Sequence, residues 1–162
     1  MKDYKKCTLG LDISTSITGA TVIQGGQIKE SFFWDTRNKN KFPSLYHKAK
    51  FIKHKLLEID DRFYIENIYI EQSLHSFRSG FSSAQTLSTL SRFNGIVSWM
   101  CYETFHIQPK MIAATSARKQ AGVGIKRGDN AKEKVLQFVV ANYPDTHQSR
   151  KSLSSTEEYL SL

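Results

Sequence analysis

The sequence predicts an α/β domain with a mixed five-stranded sheet, in which three antiparallel strands are followed by crossover strands and helices flank the sheet. Three short apolar segments near the N-terminus are separated by brief turns, which is typical of an antiparallel meander. Further along, segments with apolar residues at three- and four-residue steps alternate with two more strand-like segments. The 162 residues fit a single domain. We expect that domain at residues 1–144, followed by a polar tail at residues 145–162 that holds at most an incomplete final helix.

The first three strands are predicted at residues 7–13, 19–23 and 28–34. Between the last two, the sequence QGGQ at residues 24–27 favours a tight hairpin turn, because glycine adopts positive φ at little steric cost. A basic, polar loop follows at residues 35–44 and ends the predicted meander.

Helices and strands alternate in the rest of the chain. Apolar residues recur at helical spacing from Leu45 to Ile59 and predict an amphipathic helix there. The predicted order is a helix at 45–59, a strand at 67–73, a helix at 83–103, a strand with a turn at 107–117, a glycine- and base-rich loop at 123–130, and a helix at 131–142 that Pro144 ends.

The charge of the chain favours a polyanionic partner. Its 23 Lys and Arg residues against 15 Asp and Glu give a net charge of +8, and the pI is about 9.5. Lysine and arginine gain affinity for nucleic acid by displacing counterions from phosphates. A basic surface can also serve solubility alone, so composition makes nucleic acid the leading partner class without excluding that simpler role.

Two features bear on the compartment. Apolar runs fall short of the roughly 20 residues that span a bilayer, and no secretory core follows residues 1–7. We therefore expect a cytoplasmic protein with no membrane partner. Cys7 and Cys101 lie far apart in apolar segments, which indicates buried, reduced thiols rather than a disulfide framework or a zinc site.

Two acidic residues stand out in strands that otherwise look buried. Asp12 interrupts the segment CTLGLDISTSITGATVI, and Glu71 ends the strand NIYIEQS. If these strands are neighbours, both carboxylates converge at one rim of the sheet, where they repel each other unless a cation neutralises them. Carboxylate oxygens suit Mg²⁺ or Mn²⁺. Taken singly, each acid is more often structural, Asp12 as a turn cap and Glu71 as a solvated strand end.

Four segments, taken in order, resemble the motifs of one known family. They are LGLDISTSITGATVI with its Thr-Gly step, IYIEQSLHSF with its Glu-Gln strand end, SSAQTLSTLSRFNGIVSWM with its late Gly95, and ATSARKQAGVGIKRGDNAKEKV with its basic residues and glycine-rich turn. Their order and spacing are similar to those of the RuvC-like Holliday-junction resolvases of the ribonuclease H-like superfamily, and closer to phage-type members than to the typical bacterial enzyme. The resemblance as a whole covers about residues 8–143.

The resemblance implies a fold, an activity and an assembly. The fold is a ribonuclease H-like sheet, and the activity is that of a Mg²⁺-dependent endodeoxyribonuclease of the crossover junction type. The substrate is branched DNA such as Holliday junctions, cleaved to 5′-phosphate and 3′-hydroxyl ends. The assembly is a homodimer, with its interface on the exposed face of the helix at 83–103. The resemblance implies no small-molecule cofactor, and a phage-encoded member acts in the host cytoplasm.

The resemblance also assigns roles to single residues. Asp12 and Glu71 match the first two ligands of a site for two Mg²⁺ or Mn²⁺ ions, and a tail acid, Glu158, would complete it. Lys119 and one of Lys132 or Lys134 match basic positions that contact DNA or support the active site. The resemblance thereby implies Asp12, Glu71 and Lys119 as the catalytic residues. Further DNA contacts are expected from Phe77, Arg78, Lys126, Arg127, Lys132 and Lys134. The lysines could instead be solvated charges, and Phe77 and Phe81 could belong to the core or to a dimer contact.

One family motif is missing from the sequence. The resolvases carry an Asp-x-x-Asp pair at the start of the final helix, and residues 145–162 contain no such pair. Three explanations are open. Glu157 or Glu158 replaces the pair, with His147 as another substitute ligand; the reading frame is altered near residue 146; or the protein is a non-catalytic domain that binds branched DNA without cutting it.

Two other families share the first motif. ATPases of the actin, Hsp70 and sugar-kinase superfamily have a similar first strand and hydroxyl-rich turn, but they need two lobes and a second, glycine-rich phosphate loop. The RuvC-related proteins linked to ribosomal RNA processing lack the Glu-Gln pair seen here at Glu71 and Gln72. A metal-dependent endonuclease is therefore the function that we expect.

Overall fold

The computed structural model describes residues 3–72 and 83–144. Predictions for Phe77, Arg78, Phe81, Glu157 and Glu158 lie outside the described residues, as do those for His147. The elements in the described ranges are β1 (Asp3–Asp12), β2 (Ile17–Gln24), β3 (Gln27–Asp35), α1 (Leu45–Arg62), β4 (Phe63–Glu71), α2 (Ala84–Phe105), β5 (Lys110–Ile112), α3 (Ala114–Ala121) and α4 (Ala131–Asn142).

The five strands form one mixed sheet in the order β3-β2-β1-β4-β5. The pairs β1–β2 and β2–β3 are antiparallel, whereas β1–β4 and β4–β5 are parallel. The predicted fold class, a mixed five-stranded sheet flanked by helices, is confirmed. Because β2 alone runs in the opposite direction, β1, β3, β4 and β5 all end at the same edge of the sheet.

The β2–β3 hairpin has the turn chemistry that its sequence predicts. Gly25 and Gly26 adopt φ values of 57° and 78°, a region that residues with a Cβ atom seldom enter. The turn is therefore two residues long, and it sets the register that pairs Gln24 with Gln27.

The hydrophobic core joins the central strands to α1 and α2. Leu9 of β1 and Ile70 of β4 are fully buried in one cluster with Ile52 of α1 and Val97 of α2. Burial of each such side chain stabilises the fold by about 1.5–3 kcal/mol. Both helices begin at a serine N-cap, and the Ser83 hydroxyl accepts the Thr86 N–H at 3.1 Å.

The prediction of a strand and a turn over residues 107–117 is wrong in its second half. The strand is only Lys110–Ile112, and the next residues form α3, which ends at Gly122 with a φ of 82°. This helix has eight residues, no side-chain cap and no buried side chain. Its apolar residues are alanines alone, so it lacks the large apolar side chains by which an amphipathic helix is recognised in a sequence.

The two cysteines are free and buried, as the sequence predicts. Burial raises the pKa of the Cys101 thiol to about 12, because the apolar surroundings penalise the thiolate. Within residues 3–72 and 83–144, no helix is long and apolar enough to cross a membrane.

Candidate active site at the sheet edge

The two predicted acids lie at adjoining strand ends. The parallel register of β1 and β4 pairs Leu11 with Ile70, and each strand ends one residue later, at Asp12 and at Glu71. Leu11 and Ile70 are buried, whereas both acids are exposed. The strands therefore run through the core and present a carboxylate each where they leave it.

The electrostatics of Glu71 shows that the two carboxylates interact. Partial burial raises the pKa of Glu71, because the surrounding protein penalises the charged form. The negative charge of Asp12 raises that pKa further, and the positive charge of Arg118 lowers it. A cation held between the two carboxylates would relieve their repulsion.

The donor chemistry of the pair fits a hard divalent cation. Asp12 and Glu71 offer carboxylate oxygens, which are the ligands that Mg²⁺ and Mn²⁺ prefer. Within the described ranges, no cluster of three or more His, Cys, Asp or Glu residues forms. The predicted third ligand, Glu158, lies outside those ranges. The described residues thus bring two carboxylates to the candidate site.

The turn that follows Asp12 is closed by hydrogen bonds from buried threonines. The Thr18 hydroxyl accepts the Ser14 N–H at 3.3 Å and donates to the Ser14 carbonyl at 3.0 Å. From the start of the β3–α1 connection, the Thr36 hydroxyl donates to the Thr15 carbonyl at 3.1 Å. Thr18 and Thr36 are both 1% exposed. The hydroxyl-rich segment of the sequence is therefore a rigid support for the acid before it.

Two side chains that the sequence analysis did not single out hold the edge in place. Lys48 of α1 donates from Nζ to the Thr15 carbonyl. Asn94 of α2, which is 4% exposed, donates from Nδ2 to the Glu71 carbonyl at 3.4 Å. The available signal for Asn94 was a polar residue between the apolar residues of a predicted helix, but its partner is 23 residues away.

Basic residues approach the acids from α3. Arg118 is half-buried and acts on the pKa of Glu71, whereas the predicted Lys119 is exposed at the next position. In the sequence, Arg118 and Lys119 are adjacent basic residues, and nothing there indicates which one lies nearer to Glu71. The choice between them depends on the orientation of α3, which the sequence did not predict.

The other predicted DNA contacts that the structure describes lie around the start of α4. Lys126, Arg127, Lys132 and Lys134 are all exposed, and no ion pair joins any of the four to a carboxylate of residues 3–72 or 83–144. The Asn130 side chain caps the helix through the Lys132 N–H at 3.1 Å. Phe77 and Arg78 lie outside the described ranges.

The fold is similar to solved structures of RuvC from Thermus thermophilus. The structure of that protein in complex with a Holliday junction substrate aligns with a TM-score of 0.63 and 16% identity, and the match covers 84% of this chain and 77% of that chain. A second T. thermophilus RuvC structure aligns with a TM-score of 0.58 and 16% identity over 83% and 78% of the two chains. The likeness shows that this chain has a RuvC-like fold. No family model and no curated protein matches the sequence.

Proposed function

We propose that the protein is a metal-dependent, structure-specific endonuclease that resolves branched DNA such as Holliday junctions. The observation that carries the proposal is the pair of exposed carboxylates, Asp12 and Glu71, at adjoining strand ends of a RuvC-like fold. One of the similar solved structures contains a Holliday junction substrate, which supports branched DNA as the substrate class.

The acid pair would hold the metal, and the residues around it would position the substrate. Mg²⁺ or Mn²⁺, bound as two ions, would activate the attacking water and stabilise the leaving oxygen of the phosphodiester. Asp12 and Glu71 would bind through their carboxylate oxygens, with Glu158 as a third ligand. Arg118 and Lys119 would offer positive charge to the scissile phosphate. The products would carry 5′-phosphate and 3′-hydroxyl ends.

The exposed basic residues would bind the DNA backbone. Lys126 and Arg127 lie in the loop before α4, and Lys132 and Lys134 lie in its first turns. Together with Phe77 and Arg78, they would neutralise phosphates or stack on exposed bases. Affinity should then fall steeply with salt concentration. The place of action would be the cytoplasm, and the host cytoplasm if the gene belongs to a phage.

A homodimer would match the near two-fold symmetry of a four-way junction. The exposed face of α2 is the proposed interface, because it presents an apolar pocket lined by Arg92, Gly95, Ile96 and Trp99. Trp99 is 61% exposed, and these residues follow helical three- and four-residue spacing.

The alternative is a domain that binds branched DNA without cutting it. One observation favours it: residues 145–162 contain no Asp-x-x-Asp pair. Such a protein would keep the basic surface and lose hydrolysis.

Incubation with a labelled four-way junction and a matched linear duplex, in Mg²⁺ or in EDTA, tests the proposal. The nuclease predicts nicking that requires Mg²⁺ and selects the junction. Tight binding of the junction without cleavage in Mg²⁺ would select the non-catalytic alternative. If the protein binds and cleaves the junction and the duplex equally, both the nuclease and the non-catalytic junction-binding domain are excluded.

A further inference from the structure

The connection between β3 and α1, residues 36–44, leaves the sheet at the edge that carries the acid pair. β3 ends at Asp35 and runs in the same direction as β1, which ends at Asp12. Since neighbouring strands lie about 4.8 Å apart, and β2 lies between these two, the connection starts about 10 Å from β1. The Thr36 N–H donates to the Ser16 carbonyl at 2.8 Å, which ties it to the turn after Asp12.

The backbone of this β3–α1 loop is held in a defined shape. The Asn38 side chain accepts the N–H groups of Asn40 and Lys41 at 3.0 and 3.2 Å. The Phe42 side chain is 4% exposed and packs on Phe51, with ring centroids 5.3 Å apart. The loop therefore presents its charged side chains from a fixed base.

Two lysines of this loop carry positive charge that no acid of the described residues neutralises. Arg37 binds Asp35 through its guanidinium. Lys39 and Lys41 are exposed, and neither forms an ion pair with a carboxylate in residues 3–72 or 83–144. Burial and the positive charge of Lys39 together lower the pKa of Lys48, so these two ammonium groups share one electropositive region.

An exposed aromatic residue follows the loop in the sequence. Tyr46, in the first turn of α1, is 79% exposed. Lysines next to an exposed aromatic ring suit a nucleic acid strand, which offers phosphates and flat bases together. A strand that places one phosphate at the acid pair and runs along this edge of the sheet passes over the surface on both sides of the pair. Arg118 lies on the β5 side, and the β3–α1 loop lies on the other.

We infer that the β3–α1 loop is a second DNA contact surface, in which Lys39 and Lys41 bind backbone phosphates on the β3 side of Asp12 and Glu71. The inference rests on the proposed function and deepens it, because it assigns a path for the DNA backbone across the edge of the sheet. These contacts position the DNA without reading its sequence.

Salt-dependent binding of a four-way junction tests this surface. The test variant is Lys39→Gln/Lys41→Gln, and the control is Lys5→Gln/Lys29→Gln, which removes two charges near the start of β1 and β3 at the opposite edge. All proteins carry Asp12→Asn so that DNA is bound without being cut. Fluorescence anisotropy gives Kd for the junction and for a linear duplex over a series of salt concentrations.

The inference predicts that the test variant weakens binding of the junction and of the duplex by the same factor. It also predicts that the negative slope of log K against log salt becomes shallower by about 1.8, which is about 0.9 for each of two lost phosphate contacts. The control should keep the parental slope. An unchanged slope in the test variant, with junction preference intact, would overturn the inference and leave the proposed function standing. Absence of junction preference in the parent protein would overturn the proposed function and this inference with it.

Discussion

The side-chain amide of Asn94, buried in α2, donates to the main-chain carbonyl of Glu71 at the end of β4, at 3.4 Å. Phe93 and Val97, on either side of it in the helix, are fully buried in the core. The position of the acid is thus coupled directly to the packing of the domain. A buried polar group in such a place is costly unless it is bonded.

Substitution Asn94→Ala should lower both stability and metal affinity. We expect a loss of about 1 kcal/mol in the free energy of unfolding, the usual net value of one hydrogen bond, and weaker Mg²⁺ binding because the end of β4 is less fixed. Urea unfolding and calorimetric Mg²⁺ titration measure the two effects. The matched control is Asn142→Ala, whose exposed amide donates to the Phe138 carbonyl at 2.8 Å and should leave Mg²⁺ binding unchanged. Wild-type Mg²⁺ affinity in Asn94→Ala would contradict this role.

Arg118 and Lys119 should differ in their effect on the acid pair. The positive charge of Arg118 lowers the pKa of Glu71, so Arg118→Gln should raise that pKa further. Lys119 is exposed at the next position, and Lys119→Gln should change it less. A pH titration of the Glu71 carboxyl carbon by NMR, in metal-free protein, measures both shifts. A larger shift in Lys119→Gln would show that Lys119, and not Arg118, is the basic residue nearer to Glu71.

Neutralising Glu71 should stabilise the metal-free protein. The folded-state pKa of Glu71 is raised, so folding favours its neutral form, and stability is lost as pH rises from the ordinary glutamate pKa through the raised one. Glu71→Gln does not suffer that loss. In EDTA at pH 7, Glu71→Gln should melt at a higher temperature than wild type. The gain in free energy of unfolding should be less than about 1 kcal/mol, because solvent screens exposed charges. The difference should shrink at acidic pH, and a constant difference would exclude this cause.

The buried thiols should be protected from reagents in the native state. The pKa of Cys101 is raised to about 12, and the reactive species is the thiolate. Labelling with a disulfide reagent at pH 8 should therefore be slow for Cys7 and Cys101 in the folded protein and fast in denaturant. Rapid native labelling of Cys101 would show that α2 opens readily.

Local sequence patterns were sufficient to predict the mixed sheet and the adjacency of Asp12 and Glu71. Asp12 and Glu71 each end an apolar strand, and parallel pairing of such strands places their ends together. The same patterns could not reveal α3, which buries no side chain, and so could not distinguish Arg118 from its neighbour. Contacts between distant residues were also out of reach, since Lys48 and Thr15 lie 33 positions apart.

Single-turnover cleavage of a four-way junction measures what the acid pair contributes to catalysis. The proteins compared are wild type, Asp12→Asn, Glu71→Gln and a control, Asp61→Asn, which changes an exposed acid of α1. Each site variant should lose cleavage on the order of 100-fold or more, since charge stabilisation at the transition state depends on the pair, while still binding the junction; the control should cut at the wild-type rate. Wild-type cleavage rates in Asp12→Asn or in Glu71→Gln would show that the acid pair does not form the catalytic site.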